Sequence, residues 1–255
     1  MGIIKKTGRK AKDVASLVRK RAIGAVAGSR RIESELAKNH PYMSSLTTAA
    51  NYNRERSKET GRAILDGNRV LNFHFALDLV GRLKEGHYAE LGTYRGMTAS
   101  LIWERKAPSA KFYCFDTFEG FDERDLTDQR LDMGAESSKF RNTSVEHVQK
   151  KVAGGPDDDL VFRVGYFPQT FEGLENERFR FVHIDMDLAK PIEDALETFW
   201  PRMVDGGMIL VHDYKSARYP MAGETVDAFF AKRGITVWPL SDRLGTSLVI
   251  KQPGM

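Results

Sequence analysis

Residues 87–96 read HYAELGTYRG, and this stretch decides the fold. His87–Leu91 is a short apolar run ending at Gly92, and Thr98–Lys106 beyond it has helical spacing, so a strand feeds a helix through a glycine turn. The same unit recurs downstream. Lys111–Phe115 reads as a strand ending at Asp116, Leu160–Val164 as one followed by Gly165, Phe179–Ile184 as one ending at Asp185, and Met208–Val211 as one ending at His212 and Asp213. Helices are expected at Ser144–Val152, with Ser144 as N-cap, at Ile192–Trp200 and at Glu224–Lys232. Thr236–Leu240 and Ser247–Lys251 look like a closing antiparallel pair. Strands alternating with helices specify an α/β fold, a mostly parallel sheet covered on both faces. In such sheets ligands bind outside the carboxyl ends of the strands. Glu90 with Gly92, Asp116, Gly165, Asp185, and His212 with Asp213 all fall at those ends. Singly, each serves as a turn residue or a helix cap; together they are better explained by one ligand site.

Upstream of this core, Val70, Phe73, Leu77, Val80 and Leu83 mark one face of a helix that stops at Gly86. Domain organisation is read as a basic, helical extension over 1–68 and a ligand-binding domain over 69–255. The overall charge of +4 hides an asymmetry: residues 1–31 hold ten Lys/Arg and one acid, a net of +9, so the rest of the chain is acidic. Val14, Leu17, Val18, Ala22, Ala25 and Val26 recur at helical spacing within this arm, which favours association into a homo-oligomer. Contact of the arm with nucleic acid or an anionic membrane is a rival to a solvated arm and is not favoured. Residues 117–143 are irregular, with seven acids against four bases, and read as a lid or as a mobile loop.

Composition is that of an ordinary globular chain. Of 255 residues 41% are hydrophobic and 29% charged, which excludes a chain disordered throughout. No apolar run approaches the roughly 18 residues of a membrane span. The start MGIIKKTGRK has no apolar stretch behind its basic residues, so no secretory signal is expected. A lone cysteine, Cys114, rules out an intrachain disulfide framework and any CxxC zinc site. A reducing, cytoplasmic setting fits best.

The dinucleotide fingerprint GxGxxG is absent from 87–96, and no GxxxxGK[ST] phosphate loop occurs anywhere. What remains is an acid on the first strand, a glycine loop, and Asp116, 24 residues beyond Gly92, placed to accept both hydroxyls of a ribose. This layout resembles class I S-adenosylmethionine-dependent methyltransferases. Downstream, the segments FDTFEGF, GYFPQTF, HIDMDLAKPIEDALETFWPRMVDGG and HDY sharpen the likeness over roughly residues 87–230: the chain resembles the macrocin O-methyltransferase family, metal-dependent enzymes that methylate hydroxyls, often on natural-product sugars. The resemblance implies a Rossmann-like, seven-stranded, mostly parallel sheet with helices on both faces. It implies cofactor contacts from Glu90, Gly92, Thr93, Tyr94, Arg95 and Thr98, from Asp116, Thr117 and Phe118, from Gly165, Tyr166 and Phe167, and from Asp185. Asp185, His212 and Asp213 would be metal ligands, and Asp187 the base. Two positions depart from the family pattern: His212 replaces the first acid of an Asp-Asp pair, and Ala189 replaces a tyrosine.

An alcohol is a poor nucleophile and needs a base or a metal that lowers its pKa. Asp185, Asp187 and His212 are therefore the candidate catalytic residues. Magnesium suits the carboxylates, whereas an imidazole suits manganese or another transition metal better. His212 thus leaves three readings open: a different metal, a histidine base, or no metal. Asp187 reads as a base or as the cap of the helix before Pro191, and Phe118, Phe121 and Tyr166 as adenine pocket or as core. The expected acceptor is a small hydroxylated molecule, a sugar or glycoside. Phenol or catechol O-methylation, nucleic-acid ribose methylation and a non-catalytic cofactor-binding module are the alternatives.

Overall fold

A computed structural model describes residues 67–126 and 139–254. The basic arm and most of the 1–68 extension lie outside the described residues, as does 127–138, the middle of the expected lid. Among the described residues no helix is long and apolar enough to cross a membrane.

Chain order is α1 (Gly67–Val80), β1 (His87–Leu91), α2 (Met97–Arg105), β2 (Phe112–Asp116), α3 (Val145–Ala153), β3 (Leu160–Val164), β4 (Phe179–Ile184), α4 (Ala189–Phe199), β5 (Met203–Val211), α5 (Pro220–Ala231), β6 (Trp238–Leu240) and β7 (Thr246–Ile250). The seven strands lie in the order β3-β2-β1-β4-β5-β7-β6. β1 to β5 run parallel, and β7 is antiparallel to both its neighbours. The order reverses at β1, and α/β sheets open their ligand crevice at that switch point.

Period-2 alternation divides the central strands between two cores. Ala89, Leu91, Tyr113, Phe115, Val182, Ile184, Ile209 and Val211 join Ile192, Leu196 and Phe199 of α4 and Val226 and Phe230 of α5 in one buried cluster. Tyr88, Glu90, Phe181 and His183 are the alternate residues; the ring of Phe73 on α1 packs edge-on to those of Phe181 and His183. Buried on both faces, β4 has all six residues inaccessible, which is why its sequence reads as one apolar run. Its Arg180 is tolerated because the guanidinium donates to the carbonyls of Gly86 and Leu83.

β1, β3 and β4 have the expected bounds. Ser144 caps α3, its hydroxyl accepting from His147 N–H at 3.2 Å. β5 is longer than the expected Met208–Val211, beginning at Met203, which pairs with Phe179 of β4, while Gly206 N–H donates to Lys251 C=O and Lys251 N–H to Gly207 C=O. α5 starts four residues before the expected Glu224, at Pro220, whose fixed φ suits a first helical turn. α1 is described from Gly67 onward.

Candidate active site

One cavity of about 500 Å³ lies across the carboxyl ends of the central strands. It has two chemically different ends. Gly92, Tyr94, Asp116, Thr117, Gly165, Tyr166 and Phe167 line one; Asp185, Asp187, His212 and Asp213 line the other, beside Phe140, Arg218, Tyr219 and Leu244.

At the first end Asp116 is the organiser. Its Oδ2 accepts Tyr94 N–H at 2.7 Å and its Oδ1 accepts Phe118 N–H at 2.7 Å, so one carboxylate ties the loop after β1 to the loop after β2. Burial raises its pKa, and the two backbone donors work against that rise. Gly92 is obligatory: its φ is +83°, and a Cβ there would stand 2.0 Å from the backbone carbonyl oxygen of Asp185. The loop tip thus touches the end of β4. Tyr166 donates its hydroxyl to Asp125 at 2.7 Å, and burial together with that acid pushes the phenol up to about 12.

Several expected cofactor residues do not line the cavity. Glu90 is fully buried beneath the loop, and Thr93 and Thr98 are buried with it. Arg95 turns away, donating through Nε to Asn142 C=O at 3.1 Å. Phe118 packs towards Phe162 and lines a shallower neighbouring groove. These residues shape the loops rather than the cavity wall. Cys114 is buried, and burial holds its thiol well above the usual range. The described ends of the 117–143 segment meet over the cavity: a Cβ on Gly120 would lie 2.2 Å from Lys139 C=O, and Phe121 packs edge-on to Phe140.

At the second end the acids and the histidine converge. His212 Nδ1 lies 3.0 Å from Asp185 Oδ1 and 3.0 Å from Asp213 Oδ2. One ligand atom from each of the three falls within 4.8 Å of the others. Burial opposes ionisation of Asp185, yet the His212 and Arg69 cations overcome it and hold its carboxyl well below the usual carboxylate range. Burial likewise opposes charge on His212, but Asp185 and Asp213 raise it to about 9. Asp187 goes the other way: burial first, then the adjacent Asp213, push its carboxyl well above the ordinary value. The cap reading of Asp187 fails, because α4 takes Leu188 as its N-cap residue and no side chain caps it.

Among the described residues five non-glycines adopt left-handed backbone: Tyr94, Phe118, Phe140, Asp187 and Asp213. Four of them line this cavity. Such strain concentrates at ligand sites, where the surrounding fold holds it in place.

Arg69 has no counterpart in the sequence motifs. It reaches from α1 to place Nη2 2.7 Å from Asp185 Oδ2. Its signal was its position: it precedes Phe73 by four residues and Leu77 by eight, a cation in an apolar stripe. Arg218, Tyr219 and Leu244 sit in connections with no periodicity, so pattern reading has no purchase on them.

The donor set is compatible with a divalent cation. Two carboxylate oxygens and an imidazole nitrogen converge beside a cavity, and an O,O,N set suits manganese at least as well as magnesium.

Comparison with known proteins agrees with this architecture. Residues 20–242 match the family model described as macrocin-O-methyltransferase (TylF). The chain is 29% identical over 140 residues to an 8-demethyl-8-(2,3-dimethoxy-alpha-L-rhamnosyl)-tetracenomycin-C 4'-O-methyltransferase of Streptomyces olivaceus, covering 51% of this chain and 53% of the relative. It is 26% identical over 164 residues to a mycinamicin III 3''-O-methyltransferase of Micromonospora griseorubida, covering 59% of this chain and 63% of the relative. The chain thus spans between half and two thirds of these relatives' lengths. Among solved structures, the O-methyltransferase NovP shares the fold with a TM-score of 0.61 at 20% identity, over 72% of this chain and 80% of NovP. Calicheamicin methyltransferase CalS11 does so with a TM-score of 0.56 at 15% identity, over 71% and 77%. With the family match running through nearly all of its length, the chain belongs to the macrocin O-methyltransferase family.

Proposed function

We propose that the chain is an S-adenosylmethionine-dependent O-methyltransferase acting on a hydroxyl of a small acceptor, a sugar or glycosylated natural product. One observation carries this reading: a single cavity joins a ribose-type carboxylate, Asp116, to the Asp185–Asp187–His212–Asp213 cluster. The first relative's name points to a rhamnosyl compound, which favours a sugar hydroxyl over a phenol.

Gly92, Asp116 and Tyr166 would hold the cofactor, in the same cavity as Asp187. Transfer is an in-line displacement in which orientation supplies much of the acceleration. When bound, S-adenosylmethionine would supply an electrophilic methyl group to the acceptor oxygen and end as the neutral thioether S-adenosylhomocysteine. Asp187 takes the hydroxyl proton. It must first lose its own proton to solvent, so activity is expected to rise with pH at the acid side of the profile. Asp185, Asp213 and His212 would hold a divalent cation, magnesium or manganese, which lowers the pKa of a bound hydroxyl. Cytoplasmic location and a homo-oligomer accompany this reading as proposals.

Calorimetric titration with S-adenosylhomocysteine, with and without chelator, tests it without knowledge of the acceptor. Binding is expected. Absence of binding in both conditions overturns the methyltransferase reading. Asp187→Asn is expected to keep that binding and to lower kcat by roughly 10²–10⁴-fold on any accepted glycoside, the usual worth of a general base. An unchanged kcat removes Asp187 from the base role.

A further inference from the structure

Asp185 carries a fixed cation of its own. Its Oδ2 receives Arg69 Nη2 at 2.7 Å, while its Oδ1 faces His212 at 3.0 Å. The arginine is buried, 8% exposed, and is held from several sides. Its guanidinium carbon lies 5.9 Å from the centre of the Phe73 ring. Nη2 also lies 3.3 Å from His183 Nε2, and His183 Nδ1 lies 2.9 Å from Glu90 Oε1.

That last pair of contacts fixes a proton. A guanidinium has only donors, so His183 Nε2 must accept, its proton is on Nδ1, and Nδ1–H donates to Glu90. Burial keeps His183 neutral, with its pKa lowered to about 3. Glu90, His183 and Arg69 therefore form a strut from β1 through β4 to α1, with Asp185 at its end. This gives Glu90, which does not reach the cavity, a place in the site. Glu90 and His183 are positioning residues that act through Arg69.

We infer that Arg69 is a resident counter-charge that sets the cation affinity of the Asp185–His212–Asp213 centre, holding Asp185 in place while weakening its pull on a divalent ion. This rests on the proposal that those three residues hold a cation. Two effects compete. Orientation by Arg69 saves the cost of ordering one short side chain. Against it stands repulsion between a fixed positive charge and a doubly charged ion a few ångströms away, in a partly buried site where charges interact several-fold more strongly than in water. Repulsion is the larger effect, so removing the charge should tighten binding.

The experiment is titration of the full-length protein with Mn²⁺, followed by calorimetry and by the loss of the free-ion electron paramagnetic resonance signal. Arg69→Met keeps the apolar stem and removes the charge; it is expected to bind Mn²⁺ at least tenfold more tightly than wild type. Arg69→Gln, which keeps a donor towards Asp185, should also tighten binding and serves if the methionine variant folds poorly. Arg69→Lys keeps the charge and should stay within about threefold of wild type. A purely structural role predicts weaker binding in all three variants and overturns the inference. So does equal affinity in Arg69→Met and wild type, tightening in Arg69→Lys, or no Mn²⁺ binding by any form. Retained binding of S-adenosylhomocysteine reports that each variant is folded and keeps this test separate from that of the methyltransferase reading.

Discussion

Asp116 ties two loops with one carboxylate and is proposed to hold a ribose with it as well, and substitution separates the two. Each of its oxygens accepts one backbone N–H and retains a lone pair facing the cavity. Asn has a single acceptor oxygen, so Asp116→Asn must turn an amide N–H₂ towards either Tyr94 N–H or Phe118 N–H. S-adenosylhomocysteine affinity is expected to fall at least tenfold in a calorimetric titration; an unchanged value removes Asp116 from the ribose role. Glu90 and His183 yield a second expectation, in stability against pH. Burial pushes Glu90 from 4.5 up to about 8, so between those values the native state keeps a proton that the unfolded chain has lost, and stability falls as pH rises. His183 is lowered from 6.5 to about 3, so between those values the unfolded chain holds the extra proton, and stability rises with pH. The two oppose each other between pH 4.5 and 6.5, and above 6.5 Glu90 alone of this pair still lowers stability as pH rises. Glu90→Gln removes that falling limb. Its melting temperature relative to wild type should climb from pH 6.5 to pH 8; a flat difference would show that Glu90 does not titrate there.

The elements were legible where burial is two-sided and where glycine or aspartate punctuates the chain. β1 and β4 are buried runs closed by Gly92 and Asp185, and β3, half-buried at the sheet edge, is marked by the Gly165 that closes it. α4 begins three residues before the expected Ile192 because the turn at Asp187 uses left-handed backbone, which residue type did not announce. The acids of the site were legible because they stand at strand ends. Arg69 was legible only as a cation out of place in an apolar helix stripe; its role was not, because its partner is 116 residues away. The glycine turns allow a contrast. Gly92→Ala places a methyl group against a backbone carbonyl at 2.0 Å, whereas Gly154, with φ of +79°, has nothing within 4 Å. Gly92→Ala is expected to cost at least about 2 kcal/mol and to lower Tm by roughly 5 °C, with loss of cofactor binding, while Gly154→Ala costs only the backbone strain. Equal Tm values for the two would mean that the loop after β1 gives way.

At the scale of the whole molecule, the cavity draws walls from β1, β2, β4 and β5, so a ligand there ties most of the sheet together. Saturation with S-adenosylhomocysteine at a hundred times its Kd should add about 2.7 kcal/mol to unfolding, read as a single cooperative shift in Tm. Two separate transitions would show that the ligand stabilises only part of the described fold. The contact between Gly92 and the carbonyl of Asp185 has a consequence for how the two ends of the cavity communicate. The loop proposed to hold the cofactor and the acid proposed to hold a cation share one backbone junction, secured by Asp185 N–H donating to Leu91 C=O at 2.9 Å. Linkage is reciprocal: if Mn²⁺ changes S-adenosylhomocysteine affinity by some factor, the nucleoside must change Mn²⁺ affinity by the same factor. The glycine turn is then the hinge pin of a thermodynamic cycle, and the order in which the two ligands arrive leaves the affinity of the complete assembly unaltered.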